Sequence, residues 1–412
     1  MVRLTETIVR IFNDMQAWGR NAKVTVLSET FWSMPIAWIF FYQTIFMREL
    51  GIDEMLIGIS LTLNLILQVF LPMLGGYLAD RVGRKRTIMF FDTFGWIGTT
   101  GMLFIAKEFW QIVLAMVFQA LPYAIEGVWD AYLGEDTMPR YRAGVFGFIR
   151  LIWIVAGLLT PIAGALISSF GVEQGFRYVA LLATISTAVM LLIRQILLRE
   201  SEVGKMLSSS DDKILTRPKS YIETLRIVTK HKEILILLLL SIIQSTSGKM
   251  IITFRPLFLT DPRALALDES VVSVIPTASS ISGILILSLV IPRLKPSHIR
   301  KALIVSYVSG FLGLAVLVIA LKESIFLAII SAILDSLRFL AAFSIMPVLL
   351  FNTVDKVDPF AQAKIMSMTM TFSALVSWPI PAVGGYLYAV NPMYPFLFAA
   401  LSLIISVGLL LK

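Results

Sequence analysis

Gly75-Gly76-Tyr77-Leu78-Ala79-Asp80-Arg81-Val82-Gly83-Arg84-Lys85-Arg86 separates two apolar segments, each long enough to cross a bilayer as a helix. Two such helices need only a short connector, so one acid and four bases in so few residues ask for a further reason. Gly83 can supply the positive φ of a tight reversal, while Gly75 and Gly76 let a helix end approach a neighbour closely. The bases place this loop on the cytoplasmic side.

The composition around it is that of a membrane protein. Hydrophobic residues make up 57% and charged residues 15% of the chain, and the mean hydropathy is +0.83. Such a chain cannot cover its apolar surface in water. The net charge of +8 does not point to nucleic acid, because the bases sit in short loops beside apolar spans rather than on one basic face. With no cysteine, thiol catalysis and cysteine metal sites are excluded. His231 and His298 fall in loops too far apart for a local metal motif, and neither a metal nor a cofactor is expected. Residues 1–25 read as a cytoplasmic amphipathic lead-in, not a cleaved signal peptide.

Apolar runs long enough to cross about 30 Å at about 1.5 Å per residue predict twelve spans. They run 26–47, 54–79, 87–106, 109–132, 144–169, 176–198, 233–259, 269–291, 300–321, 324–351, 362–388 and 393–411. The polar stretch 199–232, with eight Lys or Arg residues, reads as a solvated linker dividing six helices from six. The expected domains are therefore 1–198 and 233–412. Bases crowd 81–86 and 293–301 and are sparse at 48–53, 107–108 and 322–323, which predicts a plasma-membrane protein with both termini cytoplasmic. The halves also echo one another at a constant offset: Glu135, Pro139, Ala143, Pro161 and Gly164 recur as Asp355, Pro359, Ala363, Pro381 and Gly384. Parallel repeats of this kind imply a duplicated six-helix bundle with a site between its halves.

Gly76-x-Leu78-Ala79-Asp80-Arg81-x-Gly83-Arg84-Lys85 resembles the loop between the second and third helices of the major facilitator superfamily. The resemblance implies an all-α membrane fold and transport of a small-molecule solute by alternating access, and names no substrate. It also implies a cytoplasmic latch. Asp80 would face the start of the eleventh helix, and Arg84 would meet an acid at the end of the fourth. Glu135, seven residues before Arg142, is the candidate for that acid. Departures are equally informative. The Arg three residues before a Gln-Gly pair in helix four of proton-driven drug exporters is absent, since Gln119-Ala120 follows Met116. Gly157 to Ala165 matches their helix-five motif only in part.

No segment offers a nucleotide cradle: Ser247-Gly248-Lys249-Met250 resembles the end of a phosphate loop but lies within an apolar run. No soluble stretch is large enough to be a catalytic domain. The chain is thus expected to be a gradient-driven transporter rather than an enzyme, acting as a monomer on a solute and protons within the lipid bilayer. A charge at mid-membrane costs about 2.5–3.5 kcal/mol on insertion scales, so each one needs a purpose. Lys249 has no carboxylate one turn away on its own helix and must find a partner on another helix or a ligand. Asp335 and Arg338 share a face, and an exchange of Asp335 from Arg338 to Lys249 would free Arg338 for an anion. Glu126 and Asp130, one turn apart, are candidate proton acceptors, with Glu29 a third acid at similar depth; Arg150 is the candidate counter-charge. Trp32, Trp38, Tyr42, Gln43, Gln119, Tyr123 and Gln244 are candidate cavity residues on spans one, four and seven, and Pro35, Pro122, Pro256 and Pro347 are candidate bends. An anionic or zwitterionic solute is slightly favoured. The alternatives are a lipophilic-cation exporter, a transport-inactive receptor or scaffold, and a lipid translocator.

Overall fold

The computed structural model describes residue 15 and residues 17–209, 229–355 and 362–411, and among these it contains helices and turns but no strand. Nine helical stretches among the described residues are long and apolar enough to cross a membrane. Their outer faces carry bare hydrocarbon, as at Ile196, which is 74% exposed. That surface is stable against lipid and not against water.

The signature loop joins α1 (Arg20–Glu49) and α2 (Glu54–Val82) to α3 (Arg84–Asp92). Gly83 makes the reversal with φ 98°, a conformation that strains any residue with a Cβ. Beyond α3 a π-helical turn, Thr93–Ile97, leads into α4 (Gly98–Ile105). Next come α5 (Phe109–Ala120), a 3-10 turn at Leu121–Ile125 and α6 (Glu126–Asp136). Pro122 lacks a backbone donor, which accounts for the tightened helix there. Its ring packs on Gly95, where an added Cβ would come within 2.4 Å of Pro122 Cδ. The two irregular turns are therefore pressed together at one level.

The chain continues through α7 (Pro139–Leu158) and α8 (Thr160–Leu197), the latter broken at Gly171, and a short α9 (Glu202–Ser209). After residue 229 come α10 (Lys232–Thr260), α11 (Val274–Leu285), α12 (Ile299–Ile319), α13 (Ile325–Leu340) and α14 (Met346–Asp355). The last three are α15 (Gln362–Ser377), α16 (Ile380–Val390) and α17 (Tyr394–Leu411). Of the expected bends, Pro35 and Pro256 lie inside continuous helices, while Pro122 sits in the 3-10 turn and Pro347 just after a π-helical turn at Ala341–Ile345.

Two compact units emerge. The first comprises residues 1–43, 66–159 and 169–212, and the second 44–65, 160–168 and 213–412. In the first, Ala79, Ile88, Phe91, Ala124, Ile125, Val128, Tyr132 and Leu198 form one apolar cluster, and Trp18, Ala22, Val26, Leu133, Val145, Ile149 and Ile152 another. Carboxylates distant in sequence cap two helix starts. Glu200 accepts the backbone N–H groups of Arg84 and Lys85, each at 3.0 Å, and Asp136 accepts that of Ala22 at 3.1 Å. The polar stretch expected to be solvated from 199 onward thus begins as part of the bundle. Arg199 exchanges hydrogen bonds with Asn21, and its carbonyl also accepts from Tyr132. Residues 210–228 of that stretch, the lead-in 1–14, and Pro359 of the internal repeat lie outside the described residues.

In the second unit α12 meets α13 closely across Gly310. A Cβ there would lie 2.6 Å from Cδ and 3.0 Å from Cβ of Arg338. Gly310→Ala is therefore expected to destabilise the protein by about 1–3 kcal/mol through overpacking, read as a lower melting temperature in detergent. An unchanged melting temperature would mean that α12 and α13 sit further apart.

Candidate functional site

The first unit encloses a cavity of about 610 Å³. Glu29 and Trp32 reach it from α1, and Asp92 and Trp96 from α3 and the π-helical turn. Tyr123, Glu126, Trp129 and Asp130 come from the 3-10 turn and α6, Arg150 and Trp153 from α7, and Arg194 from α8. Helical spacing explains the pairs: Glu126 and Asp130, like Arg150 and Trp153, lie about one turn apart and share a face. The π-helical turn shifts the register between Asp92 and Trp96.

One wall is aromatic. Trp32 lies edge-on to Trp96 and Trp153, with ring centroids 4.8 and 4.9 Å apart, and Phe40 stacks on Trp153 at 6.4 Å. The other wall is ionic. Arg194 reaches Glu29 at 2.6 Å and Asp92 at 3.6 Å, and its Nε donates to Ser28 Oγ at 3.0 Å. These three charged groups are buried, whereas Glu126 and Asp130 are open to the cavity. Four carboxylates face two guanidiniums, so the cavity carries formal negative charge when all are ionised.

The other expected solute residues divide. Tyr123 lines this cavity. Trp38 is buried and donates its indole N–H to the Ala156 carbonyl at 3.2 Å. Tyr42 is fully buried, and Gln119 donates to Gln43 at 3.1 Å. In the second unit, the Lys249 ammonium donates to Ser377 Oγ at 2.7 Å. It forms no ion pair among the described residues. Gln244 is buried on the same helix, α10. Asp335 pairs with Arg338, at 2.5 Å, and with Arg255, at 3.0 Å, not with Lys249. Glu29 pairs with Arg194 and not with Arg150.

The ends of the helices carry two ionic clusters. At the Gly83 end, within the first unit, Arg84 lies 2.7 Å from Glu135, while Gly76, Asp80 and Arg81 are exposed or nearly so. Arg81 stacks over Tyr77. The side chain of Asp355, the counterpart of Glu135 in the second half, lies outside the described residues. At the Gly51 end, within the second unit, Asp261 is only 3% exposed. It takes Arg263 at 2.8 Å, the Tyr388 hydroxyl at 3.1 Å and, more loosely, Arg48 at 3.9 Å. Arg263 also meets Glu54. Burial pushes the Asp261 carboxyl up, but hydrogen bonds from the side chain and backbone of Arg263, its charge and the Tyr388 hydroxyl outweigh this and hold it below the ordinary value.

Sequence reading missed Asp92, Arg194, Arg255 and the whole Asp261 cluster. Each of the first three is a charge inside an apolar run, the same signal that singled out Lys249. Attention to spans one, four, seven and ten passed over Asp92 on the third and Arg194 on the sixth.

Long apolar helices with charges buried in pairs define a multi-pass helical membrane protein. The sequence matches the family model of the Major Facilitator Superfamily over residues 24–381, and the chain belongs to that family. It is 22% identical over 377 residues to Multidrug resistance protein 2 of Bacillus subtilis (strain 168), covering 88% of each chain. It is 27% identical over 186 residues to a Na(+), Li(+), K(+)/H(+) antiporter of Planococcus maritimus, covering 43% of this chain and 42% of that one. Its fold resembles that of the nucleoside transporter NupG, with a TM-score of 0.71 at 16% identity over 95% of this chain and 97% of that one.

Proposed function

We propose that this protein exchanges lipophilic organic cations for protons, with the cavity of the first unit as the recognition site. The observation that carries this reading is the pairing of an aromatic wall with an excess of carboxylates. Aromatic faces attract a cation by about 0.5–2 kcal/mol each, the more so when desolvated, and the acids supply the long-range attraction. Glu126 and Asp130, open to the cavity, are the groups on which a cation and a proton would compete. The multidrug relative supports the choice of substrate class, and the cation/proton antiporter supports the choice of coupling.

In this reading twelve spans in two six-helix halves, 1–198 and 233–412, work as a monomer in the plasma membrane with both termini cytoplasmic. Gly76, Asp80, Arg81, Gly83, Arg84 and Glu135 form the cytoplasmic latch, and the Asp261 cluster its outer counterpart. Alternating access requires each latch to break in turn. A partly exposed ion pair such as Arg84–Glu135 contributes about 1 kcal/mol, a strength suited to breaking in every cycle.

In proteoliposomes with an imposed proton gradient, Glu126→Gln is expected to abolish gradient-driven flux of tetraphenylphosphonium. Trp153→Ala is expected to weaken its binding by about 5- to 30-fold, the loss of one desolvated cation–π contact. Wild-type rates in both variants would overturn the assignment. A second reading, an anionic or zwitterionic solute, draws on Lys249, Asp335 and Arg338 of the second unit, with Gln244 as its supporting residue. It is favoured by one observation, the absence of a carboxylate beside Lys249 among the described residues. Counterflow of organic acids lost in Lys249→Ala, with tetraphenylphosphonium flux at background, would select it.

A further inference from the structure

The second unit buries more positive than negative charge toward the end of α13. Arg338 grips Asp335 with two bonds, Nε to Oδ1 at 2.5 Å and Nη2 to Oδ2 at 3.2 Å. Arg255, from α10, brings Nη1 to 3.0 Å from Asp335 Oδ2. Side-chain exposure is 1% for Arg338, 7% for Asp335 and 13% for Arg255. Guanidinium groups do not lose their protons in proteins. One carboxylate shared by two of them leaves a formal charge of +1 in the interior.

Hydrogen-bond accounting points the same way. Nε and Nη2 of Arg255 are buried without an acceptor among the described residues. The hydroxyls of Tyr307 and Ser331, both on fully buried side chains, also find no partner among the described residues. Tyr307 precedes by one turn Gly310, which packs on Arg338, and Ser331 precedes Asp335 by one turn. Arg338 Nη1 lies near Gly248, the neighbour of Lys249. Buried donors without acceptors, grouped about an uncompensated positive charge, are the reverse of what a closed structural ion pair requires.

We infer that Arg255, Arg338 and the donors around them form a binding site for a small monovalent anion, with Asp335 holding the two guanidiniums apart from full neutralisation. The anion supplies the missing negative charge and accepts from Arg255 Nε and Nη2. Asp335 limits affinity, since its own charge competes for the same donors. The site stands whether or not the cavity of the first unit takes cations.

The test is thermal stability of the purified full-length protein in detergent at constant ionic strength, with a bulky organic sulfonate as reference anion. Chloride, nitrate, acetate and benzoate are titrated in its place. The wild type is expected to show a saturable rise of about 3 °C in melting temperature at high anion concentration. Arg255→Gln removes the excess charge, so the rise should vanish and the protein in the reference salt should melt no lower than wild type. Arg255→Lys keeps the charge but not the paired donors and should right-shift the titration, whereas Asp335→Asn should left-shift it by about tenfold. Stabilisation by chloride identifies a resident inorganic ion, and stabilisation by benzoate alone identifies the carboxylate of a larger solute. Melting temperatures indifferent to the anion, or an unchanged response in Arg255→Gln, would overturn the inference.

Discussion

Arg194→Met is expected to be the most damaging single substitution in the first unit, lowering its stability by about 3–5 kcal/mol. The side chain that is lost stands between two buried acids, 2.6 Å from Glu29 and 3.6 Å from Asp92. Methionine fills much of the volume but leaves both carboxylates facing one another without a cation. Removing one partner of a buried ion pair costs far more than replacing the whole group by neutral side chains. The triple variant Arg194→Met, Glu29→Gln, Asp92→Asn should therefore recover most of the lost stability. Detergent melting curves read both effects. A single variant as stable as wild type would mean that the two acids are neutral without Arg194, and a triple variant no better than the single one would mean that the loss is one of packing.

Asp261→Asn is expected to loosen the Gly51 end of the second unit. Losing charge-assisted hydrogen bonds costs about 1.5–3 kcal/mol each, which corresponds to about a 10- to 150-fold change in an opening equilibrium. The chain has no cysteine, so spin labels on Glu49→Cys and Lys322→Cys report this end without a background. The expected result is a broader, longer distance distribution in Asp261→Asn than in the otherwise unaltered chain. Identical distributions would remove Asp261 from the latch. The pH response follows from the depressed carboxyl. A group whose value is lowered on closing stabilises the closed form above the ordinary carboxylate value, here 3.8. That contribution fades only as pH falls through the lower value. Arg48, Arg263 and Tyr388 face Asp261, and Glu54 meets Arg263. Distances should thus hold steady from about pH 8 to about pH 5, and a transition in that window would place the proton elsewhere in the cluster.

Much of the fold was legible because a bilayer sets a length: apolar runs of the right extent, cut by basic loops, can only be helices that cross it. The turn at Gly83 was legible for the same local reason, a glycine between a helix stop and a basic helix start. Partner choice was not. Which face of α1 carries Trp38, and which carries Trp32 and Glu29, depends on the rotation of the helix against its neighbours, and an apolar sequence on all sides records no rotation. Trp38 accordingly bonds a backbone carbonyl while Trp32 lines the cavity. Asp335 was legible as a partner for Arg338, three residues on, because that relation is local. Arg255, 80 residues away in the chain, was not. The π-helical turns left no mark in composition, yet one of them directs Trp96.

The contact between Gly95 and Pro122 ties two weak points of the helical scaffold into a single joint. Helices bend most readily where their regular bonding is interrupted, and here two interruptions touch with no side chain on Gly95 to cushion them. Trp96 lies within one and Glu126 follows the other. A molecule that pushes on the indole therefore presses, through a proline ring, on the base of the helix bearing the acid. In the proposed exchange, occupancy of the cavity and proton affinity at Glu126 would thus be mechanically joined before any larger rearrangement begins.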